Sequence, residues 1–476
     1  MMAESDQKQN LGKWLFGEKE ACRARKVRDD SGMTLELEDL FATLRFPSIS
    51  TDSAYAADVR ACGTWYLERF KTMGLDAEMI ETAQHPIVVA RNEKKAGRKT
   101  VLIYGHYDVQ PVDPLELWDS PPFEPEIRDG KIWARGATDN KGQHVAHLLA
   151  VEKLLQKDGE LPVNLIFLLE GEEEIGSPNL APYLEEHKDE FACDVIVVSD
   201  TGMVAEGVPT LGYGLRGIAC CEVLVKGPDK DLHSGVYGGA VANPATAAAQ
   251  LIASLHNDKG QVAVADFYKE VEPLADWERE MWKSVPGVGE ADILEVTGSP
   301  AIFGEEGYSA AECLWARPTC EVNGMWGGYQ GEGSKTVLPA EAGFKLSCRL
   351  VPAQDPDLTM ERVKAHLESH LPAGVTIEVK IGHSGKAYVA DPHSEDGKAA
   401  QEALTEVFGR EPVLIREGGS IPIIQDMKEI LQAESLMLGL ALPDCQIHSP
   451  NENFTVANFE AGIELSQVLL RKLGQG

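Results

Sequence analysis

The chain has 476 residues, of which 43% are hydrophobic and 25% are charged, as is typical of a soluble globular protein. It is too long for one ordinary hydrophobic core, so we expect two domains. The 44 basic and 76 acidic residues give a net charge of −32. This acidic excess argues against nucleic acid and anionic membranes as partners, and its usual effect is to keep a protein soluble.

The cysteines and the N-terminal segment bear on the compartment in which the protein works. The nine cysteines are odd in number, spread thinly, and form no Cys-x-x-Cys pair. Free thiols in a reducing cytoplasm therefore fit better than a disulfide framework. Residues 1–34 are polar and lack an apolar signal-peptide core, so we expect a poorly ordered lead-in there. No apolar run approaches the roughly 20 residues of a membrane helix.

Strands and helices alternate between residues 35 and 214, which predicts an α/β domain with a largely parallel sheet. The predicted strands cover residues 77–81, 85–91, 101–106, 131–134, 163–169 and 194–199. The predicted helices cover residues 35–44, 54–73, 142–156 and 178–185.

Side chains that can bind metal follow the ends of four of these strands. One histidine or carboxylate at such a position is more often structural, and it is the repetition that indicates a site. Because ligands of open α/β sheets bind beyond the carboxyl ends of the strands, we expect these side chains to meet at one edge. In chain order they are His106, Asp139, the pair Glu173 and Glu174, and Asp200.

From residue 215 the pattern changes to β-α-β-β-α-β, which is typical of a ferredoxin-like domain. An insertion over residues 261–318 separates its first helix from its second strand, and α/β character returns near residue 391. We therefore predict an α/β domain that is interrupted by an inserted ferredoxin-like domain. The predicted boundaries are 35–214 and 385–476 for the two parts of the α/β domain, and 215–384 for the insert.

The candidate ligands offer nitrogen and oxygen donors without thiolates. His448, in a loop after a late predicted strand, adds a second imidazole to His106. Such donors suit zinc, manganese or cobalt in a catalytic site. With Asp139 between two ions, each ion could take one histidine and one terminal carboxylate. The two ions would balance carboxylates that otherwise repel one another, and the carboxylate left over could serve as a general base.

Several motifs resemble those of the co-catalytic zinc peptidases, a family that includes carnosinase, cytosolic non-specific dipeptidase, glutamate carboxypeptidase, succinyl-diaminopimelate desuccinylase and aminoacylase. Segments at 335–339, 382–386 and 416–422 look most like the carnosinase and dipeptidase branch. The resemblance extends from about residue 35 to the C-terminus. The motifs are Gly-His-Tyr-Asp-Val at 105–109, Gly-Ala-Thr-Asp-Asn-Lys-Gly at 136–142, Glu-Gly-Glu-Glu-Glu-Ile-Gly-Ser at 170–177, Ser-Asp at 199–200, His-Ser-Gly at 233–235 and Ile-His-Ser at 447–449.

The resemblance implies a site for two divalent ions per subunit, with Zn²⁺ expected first and Mn²⁺ or Co²⁺ as alternatives. Asp139 would bridge the ions, and a cis peptide bond would join it to Asn140. Glu173 would act as the general base, and Asp108 would be the partner of the His106 ring. The two ligand sets would be His106, Asp139 and Asp200, and Asp139, Glu174 and His448.

The resemblance also implies how subunits and substrate are arranged. The ferredoxin-like domain would act as a lid and form a homodimer, in which His233 would reach the active site of the partner subunit and steady the oxyanion. Arg349 would take the α-carboxylate of the substrate. The residues expected to hold the substrate are Thr336, Arg349, His383 and Ser420. His144 and His147 match no ligand position, so we expect them to be surface or packing residues.

The reaction that follows is hydrolysis of the peptide bond of dipeptides by a metal-bound water that Glu173 activates. An N-acyl amino-acid amidohydrolase on the same site is the alternative, and assays of dipeptides against N-acetyl amino acids separate the two. A non-catalytic binding or scaffold protein would be indicated by loss of a ligand or of the base, whereas every position is filled. Phosphoesterase chemistry would need a cluster of Arg or Lys near the ligand motifs, which the sequence lacks.

Overall fold

The computed structural model describes residues 35–475, and the lead-in predicted for residues 1–34 lies outside them. The helices are α1 (Leu35–Leu44), α2 (Ala56–Thr72), α3 (Lys141–Asp158), α4 (Leu180–His187), α5 (Ser234–Tyr237), α6 (Pro244–Ser254), α7 (Asp276–Trp282), α8 (Glu290–Thr297), α9 (Ala310–Ala316), α10 (Pro356–Ser369), α11 (Glu395–Phe408), α12 (Pro422–Leu431) and α13 (Val456–Leu473). Within the described residues, no helix combines the length and the apolar character that a membrane span needs.

The strands form a large sheet, a second sheet of four strands, and two small ones. They are β1 (Asp76–Ile80), β2 (Ile87–Arg91), β3 (Thr100–His106), β4 (Glu126–Arg128), β5 (Lys131–Trp133), β6 (Asn164–Glu170), β7 (Val195–Gly202), β8 (Thr210–Leu215), β9 (Gly217–Lys226), β10 (Leu232–His233), β11 (Thr319–Gly327), β12 (Val337–Leu338), β13 (Glu341–Leu350), β14 (Thr376–Gly385), β15 (Tyr388–Val389), β16 (Val413–Glu417), β17 (Glu434–Ala441) and β18 (Asn453–Thr455).

The large sheet has the order β1-β2-β6-β3-β7-β17-β8-β15, with β16 beside β8. Its four central strands, β6, β3, β7 and β17, run parallel to one another. β3 and β6 are buried at every position, as expected for a parallel sheet that helices cover on both faces. The strands that flank this centre, β2 and β8, are antiparallel to it. The predicted α/β fold with a mostly parallel central sheet is therefore confirmed.

The large sheet is formed by strands that come before the second sheet in the chain and by strands that come after it. β8 precedes the second sheet in the chain, whereas β15, β16 and β17 follow it. Helices α3 and α13, which are far apart in sequence, pack against each other beside the large sheet. This arrangement brings the loop that carries His448 next to the strand ends of the first half of the chain.

The second sheet has the order β11-β13-β9-β14, with every neighbouring pair antiparallel. This is the strand order of a β-α-β-β-α-β unit. Helices α6 and α10 pack against the sheet, and Leu251 and Val363 from these helices share a core with Phe344. Along β9 buried and partly exposed residues alternate, so helices cover one face and the other is open.

Two helices of the 261–318 insertion, α7 and α9, pack against the large sheet, although their sequence lies inside the predicted ferredoxin-like segment. α7 and α9 contact β16. The rings of Trp282 and Trp315 meet edge to face with centroids 5.3 Å apart, and Trp282 Nε1 donates to Leu414 O at 3.0 Å. Large aromatic side chains bury a large apolar surface, and here the core of the α/β domain covers the two tryptophans.

Candidate active site

The predicted ligands converge at the carboxyl ends of the central strands and form two groups that share Asp139. The strand before Asp139, β5, was expected in the large sheet but lies in a small antiparallel sheet with β4 and β18. His106 Nε2 lies 3.1 Å from Asp139 Oδ1 and 3.6 Å from Asp200 Oδ2. His448 Nε2 lies 2.9 Å from Asp139 Oδ2 and 3.4 Å from Glu174 Oε2. In each group the candidate ligand atoms all lie within 4.8 Å of one another. The two oxygens of Asp139 thus face different histidines, as a bridging ligand requires.

Asp108 holds both the first imidazole and the acidic turn that follows β6. His106 Nδ1 lies 3.1 Å from the carbonyl oxygen of Asp108 and 3.4 Å from its carboxylate. The same carboxylate accepts the backbone N–H groups of Glu173 at 3.2 Å and Glu174 at 3.1 Å. Because Nδ1 faces the acceptors of Asp108, it would keep its proton when Nε2 binds a metal ion.

Glu452 anchors the loop that carries Asp139, a role that the sequence did not reveal. It is fully buried, and its carboxylate accepts the N–H groups of Gly136 at 2.9 Å and Asp139 at 3.0 Å. It also pairs with Arg135 Nη1 at 2.9 Å. Removing one partner of such a buried pair typically costs about 3–5 kcal/mol. The peptide bond between Asp139 and Asn140 is cis, as the resemblance implied.

The pKa values at the site reflect burial and close contact between imidazoles and carboxylates. Burial alone would raise the pKa of Asp139, but hydrogen bonds with His106 and His448 hold it well below its usual range. Hydrogen bonds with Asp139 and Glu174 raise the pKa of His448 to about 10. Burial raises the pKa of Glu174 to about 7. Because only neutral imidazole binds metal, a divalent ion that enters the site releases protons.

The donors fit two divalent cations. Each group combines one imidazole nitrogen with carboxylate oxygens, a set that zinc, manganese and cobalt accept. Glu174 Oε1 is buried and accepts no hydrogen bond from the described residues, so this oxygen is free to bind a cation. Gln110 Nε2 donates to Glu174 Oε2 at 2.7 Å, and Asn140 Nδ2 donates to Asp200 Oδ1 at 3.0 Å. These two amides, which the sequence did not single out, orient the terminal carboxylates.

Glu173 lies beside the ligands but belongs to neither group. Burial, together with the charge of Asp200, raises its pKa although His106 opposes the shift. The preceding carboxylate, Glu172, is turned away and accepts hydrogen bonds from His85 N at 2.6 Å and Asn179 Nδ2 at 2.8 Å. The three consecutive glutamates therefore have three different environments, and only Glu174 joins the candidate ligands.

Three of the predicted substrate residues lie on or near the second sheet. Arg349, on β13, donates from Nη1 to Ser420 Oγ at 2.8 Å, so the structure brings these two together. His383, on β14, is exposed, and its Nε2 lies 3.5 Å from Cys220 Sγ. Arg349 and Cys220 lie on neighbouring strands of this sheet.

The other two predicted residues lie together at the small sheet of β10 and β12, where His233 is the last residue of β10 and Thr336 directly precedes β12. His233 pairs with Val337, and the carbonyl oxygen of Thr336 accepts the N–H of Ser234 at 3.1 Å. His233 is exposed and joins neither group of metal-capable side chains in the described chain. Within one chain, the structure does not bring His233 to the candidate metal ligands.

The two histidines of α3, His144 and His147, are packing residues. His144 Nε2 contacts the Tyr66 hydroxyl at 2.5 Å. His147 lies between Ser466 Oγ, 3.0 Å from its Nδ1, and Ser199 Oγ, 2.8 Å from its Nε2. Burial lowers the pKa of His147 to about 4.

We expect acid to weaken the fold through His147. Its folded-state pKa is depressed, so its contribution to stability is complete above pH 6.5 and is lost as the pH falls toward 4. Between pH 7.5 and pH 5 the loss from this group is about 2 kcal/mol. Denaturant unfolding of the wild type and of His147→Gln at both pH values measures it. Equal losses in the two proteins would contradict the assignment.

Comparisons with known proteins identify the family of the chain. The sequence profile of the peptidase family M20/M25/M40 matches residues 102–472. Cys-Gly metallodipeptidase DUG1 of Saccharomyces cerevisiae is 29% identical over 452 residues, covering 91% of this chain and 94% of that protein. Beta-Ala-His dipeptidase of Homo sapiens is 32% identical over 398 residues, covering 82% of this chain and 78% of that protein.

A solved structure shares the fold and much of the sequence. The M20 family metallo-carboxypeptidase Sso-CP2 from Sulfolobus solfataricus is 33% identical, with a TM-score of 0.83. The match covers 93% of this chain and 100% of that chain. These findings confirm the family that the motifs predicted, and the chain belongs to the peptidase family M20/M25/M40.

Proposed function

We propose that the protein is a metal-dependent dipeptidase that hydrolyses the peptide bond of dipeptides. The observation that carries the proposal is the pair of ligand groups that share Asp139. When bound, two divalent ions would polarise the scissile carbonyl and lower the pKa of a water molecule. We propose Zn²⁺ first, with Mn²⁺ or Co²⁺ as alternatives, because the donors are nitrogen and oxygen.

Glu173 would take the proton of the attacking water and return it to the leaving amine. A buried carboxyl with a raised pKa can take up a proton and give it back. Asp108 hydrogen-bonds the backbone of Glu173 and the ring of His106, so it holds the proposed base and the candidate ligand in a fixed relative position. Gln110 and Asn140 would hold the terminal carboxylates in place.

Arg349 would bind the α-carboxylate of the substrate and so limit its length. A guanidinium can hold a carboxylate with two parallel N–H bonds, which an ammonium cannot reproduce. Its Nη1 contacts Ser420, and among the described residues no carboxylate lies within ion-pair distance of it. Two relatives are named for dipeptide substrates, which supports a dipeptide for this chain as well.

The test compares a dipeptide, its C-terminal amide and an N-acetyl amino acid. We expect kcat/KM for the free dipeptide to exceed that for its amide by roughly 30-fold to several-thousand-fold, because the amide leaves a charged group unpaired. Arg349→Lys should lose activity mainly on the free dipeptide. Lys345→Gln, which alters an exposed residue of the same strand, is the matched control. Equal rates on dipeptide and amide, or faster hydrolysis of the N-acetyl substrate, would count against a dipeptidase.

We further propose a homodimer in which His233 serves the active site of the partner subunit. Beside His233, the apolar side chains of Val236 and Tyr237 are 66% and 45% exposed, and a partner would cover them. The ferredoxin-like domain would then act as lid and dimer contact together.

Mixing His233→Ala with Glu173→Gln subunits tests this arrangement. Each variant alone should be inactive, whereas the mixed dimer has one site in which both residues are intact. An equal mixture should regain about a quarter of wild-type activity, since half of the dimers carry one working site of two. No recovery after subunit exchange has been verified would exclude action of His233 across the interface.

We also propose a reducing compartment, the cytoplasm. Cys320 on β11 lies directly opposite Cys348 on β13, and both are free. Every cysteine that the structure describes has a free thiol. Free thiols this close together support an environment that keeps them reduced.

A further inference from the structure

A cleft of about 440 Å³ opens beside the proposed substrate residues, where the second sheet meets the 261–318 insertion. One wall comes from the sheet and includes Arg349 and Glu321. The other wall comes from the insertion and includes Leu314 and Arg317. Arg216, the single residue between β8 and β9, also lines the cleft.

Arg216 is connected to the metal-binding edge through a short chain of contacts. Glu417 Oε1 accepts the N–H of Gly202 at 2.8 Å, at the end of the strand that carries Asp200. The next residue, Gly418, accepts Arg216 Nε through its carbonyl oxygen at 3.2 Å. A Cβ on Gly418 would come within 3.0 Å of Arg216 Nη2, so this loop and the guanidinium are in close contact. The cleft is therefore next to the proposed site.

The cleft holds two guanidinium groups, those of Arg216 and Arg349, that no carboxylate of the described residues contacts within ion-pair distance. Arg317 is paired, because its Nε and Nη2 donate to the carboxylate of Glu305 at 2.7 and 2.8 Å. Arg216 has only backbone carbonyls as acceptors, those of Gly418 and Arg317, and in residues 35–475 no carboxylate lies within ion-pair distance of it. Glu321, the other acid that lines the cleft, is exposed to solvent.

Arg216 is half-buried, and a guanidinium that is partly removed from water without a carboxylate in contact with it is costly. A second cation nearby adds to the cost. Burial and the charge of Arg349 lower the pKa of Arg216 to about 10, although the charge of Glu321 opposes the shift. The protein as a whole carries a net charge of −32, so positive charge here is a local feature. Two guanidinium groups, those of Arg216 and Arg349, line the cleft. Only Arg349 is needed to bind the α-carboxylate of a dipeptide.

We propose that Arg216 binds a second carboxylate of the substrate, on the side chain of its C-terminal residue, and so favours dipeptides that end in Asp or Glu. This inference rests on the proposed dipeptidase function, in which Arg349 takes the α-carboxylate. Arg216 Nε and Nη1 face backbone carbonyls, which leaves Nη2 to donate to the substrate. Arg216 is then a residue that determines specificity at the C-terminal position.

The test uses isosteric pairs of dipeptides on the metal-loaded enzyme. We expect kcat/KM for Ala-Glu to exceed that for Ala-Gln by roughly 10- to 100-fold, as for a hydrogen bond between charged groups. Arg216→Gln should remove most of this preference by lowering kcat/KM far more for Ala-Glu than for Ala-Gln. Arg216→Lys should keep part of the preference. Lys345→Gln removes one positive charge from the second sheet and should leave the ratio unchanged.

A binding measurement covers the case in which Arg216 variants fail to fold. Calorimetric titration of the wild type should show L-glutamate binding at least about 10-fold more tightly than L-glutamine, with the difference shrinking as salt is added. Equal binding of the two amino acids, or equal kcat/KM on the two dipeptides, would overturn the proposal. If neither these dipeptides nor any other is cleaved, the dipeptidase function fails, and the titration still decides whether the protein selects an acidic side chain.

Discussion

Asp139→Ala should abolish dipeptide hydrolysis and leave the protein unable to hold two divalent ions. The two oxygens of Asp139 face different histidines, 3.1 Å from His106 Nε2 and 2.9 Å from His448 Nε2. Loss of this carboxylate therefore weakens both ligand groups at once. Because bound ions supply several kcal/mol of transition-state stabilisation, kcat/KM should fall roughly 10³-fold or more. Elemental analysis and kinetics on the same preparation measure the two effects.

A matched control separates the loss of a ligand from the loss of a charge. Asp444 is an exposed carboxylate that pairs with Lys131, 2.6 Å away. Asp444→Ala should keep both ions and near wild-type activity. If Asp139→Ala still binds two ions tightly, Asp139 is not a shared ligand.

Glu173→Gln should keep both ions and lose most of the catalytic rate. The carboxylate is buried beside the ligand groups but belongs to neither, so its amide leaves both ligand sets complete. Loss of a general base typically lowers kcat by about 10²–10⁴-fold. KM should change little, because no substrate contact is removed. Metal content, kcat and KM on one dipeptide test this.

The neighbouring variant Glu174→Gln provides the comparison. Glu174 Oε2 lies 3.4 Å from His448 Nε2, and its other oxygen is free of hydrogen bonds from the described chain. Glu174→Gln should therefore lose metal as well as rate. The reverse outcome, in which Glu173→Gln loses metal and Glu174→Gln keeps it, would exchange the roles of the two residues.

The sequence could indicate that His106, Glu174 and Asp200 lie close together, because each lies at or just beyond the end of a central strand. Asp139 instead follows β5, which belongs to a small antiparallel sheet. His106 ends a strand that is buried at every position, and Asp200 lies near the end of β7 in the same parallel centre. Parallel strands bring their carboxyl ends to one edge, so strand order along the chain predicts proximity in space. The register within the acidic run came from the resemblance, and the structure places Glu172 away from the ligands.

Contacts between distant segments could not be predicted in the same way. Glu452 holds the Asp139 loop from 313 residues away, and no local pattern marks a carboxylate for that role. Arg216 gave no signal either, because a lone arginine between two strands is ordinary in sequence. The antiparallel direction of β8 beside β17 depends on how the chain returns from the inserted sheet. Periodicity shows which residues are buried and does not show strand direction.

Anomalous X-ray diffraction from crystals soaked in zinc tests the central claim most directly. If Asp139 bridges two ions, the map should contain two peaks, each beside one histidine and one terminal carboxylate, with Asp139 in contact with both. Their separation should be about 3.5–4 Å, the usual spacing of two-metal sites. A single peak, or a second peak that does not touch Asp139, would contradict the account.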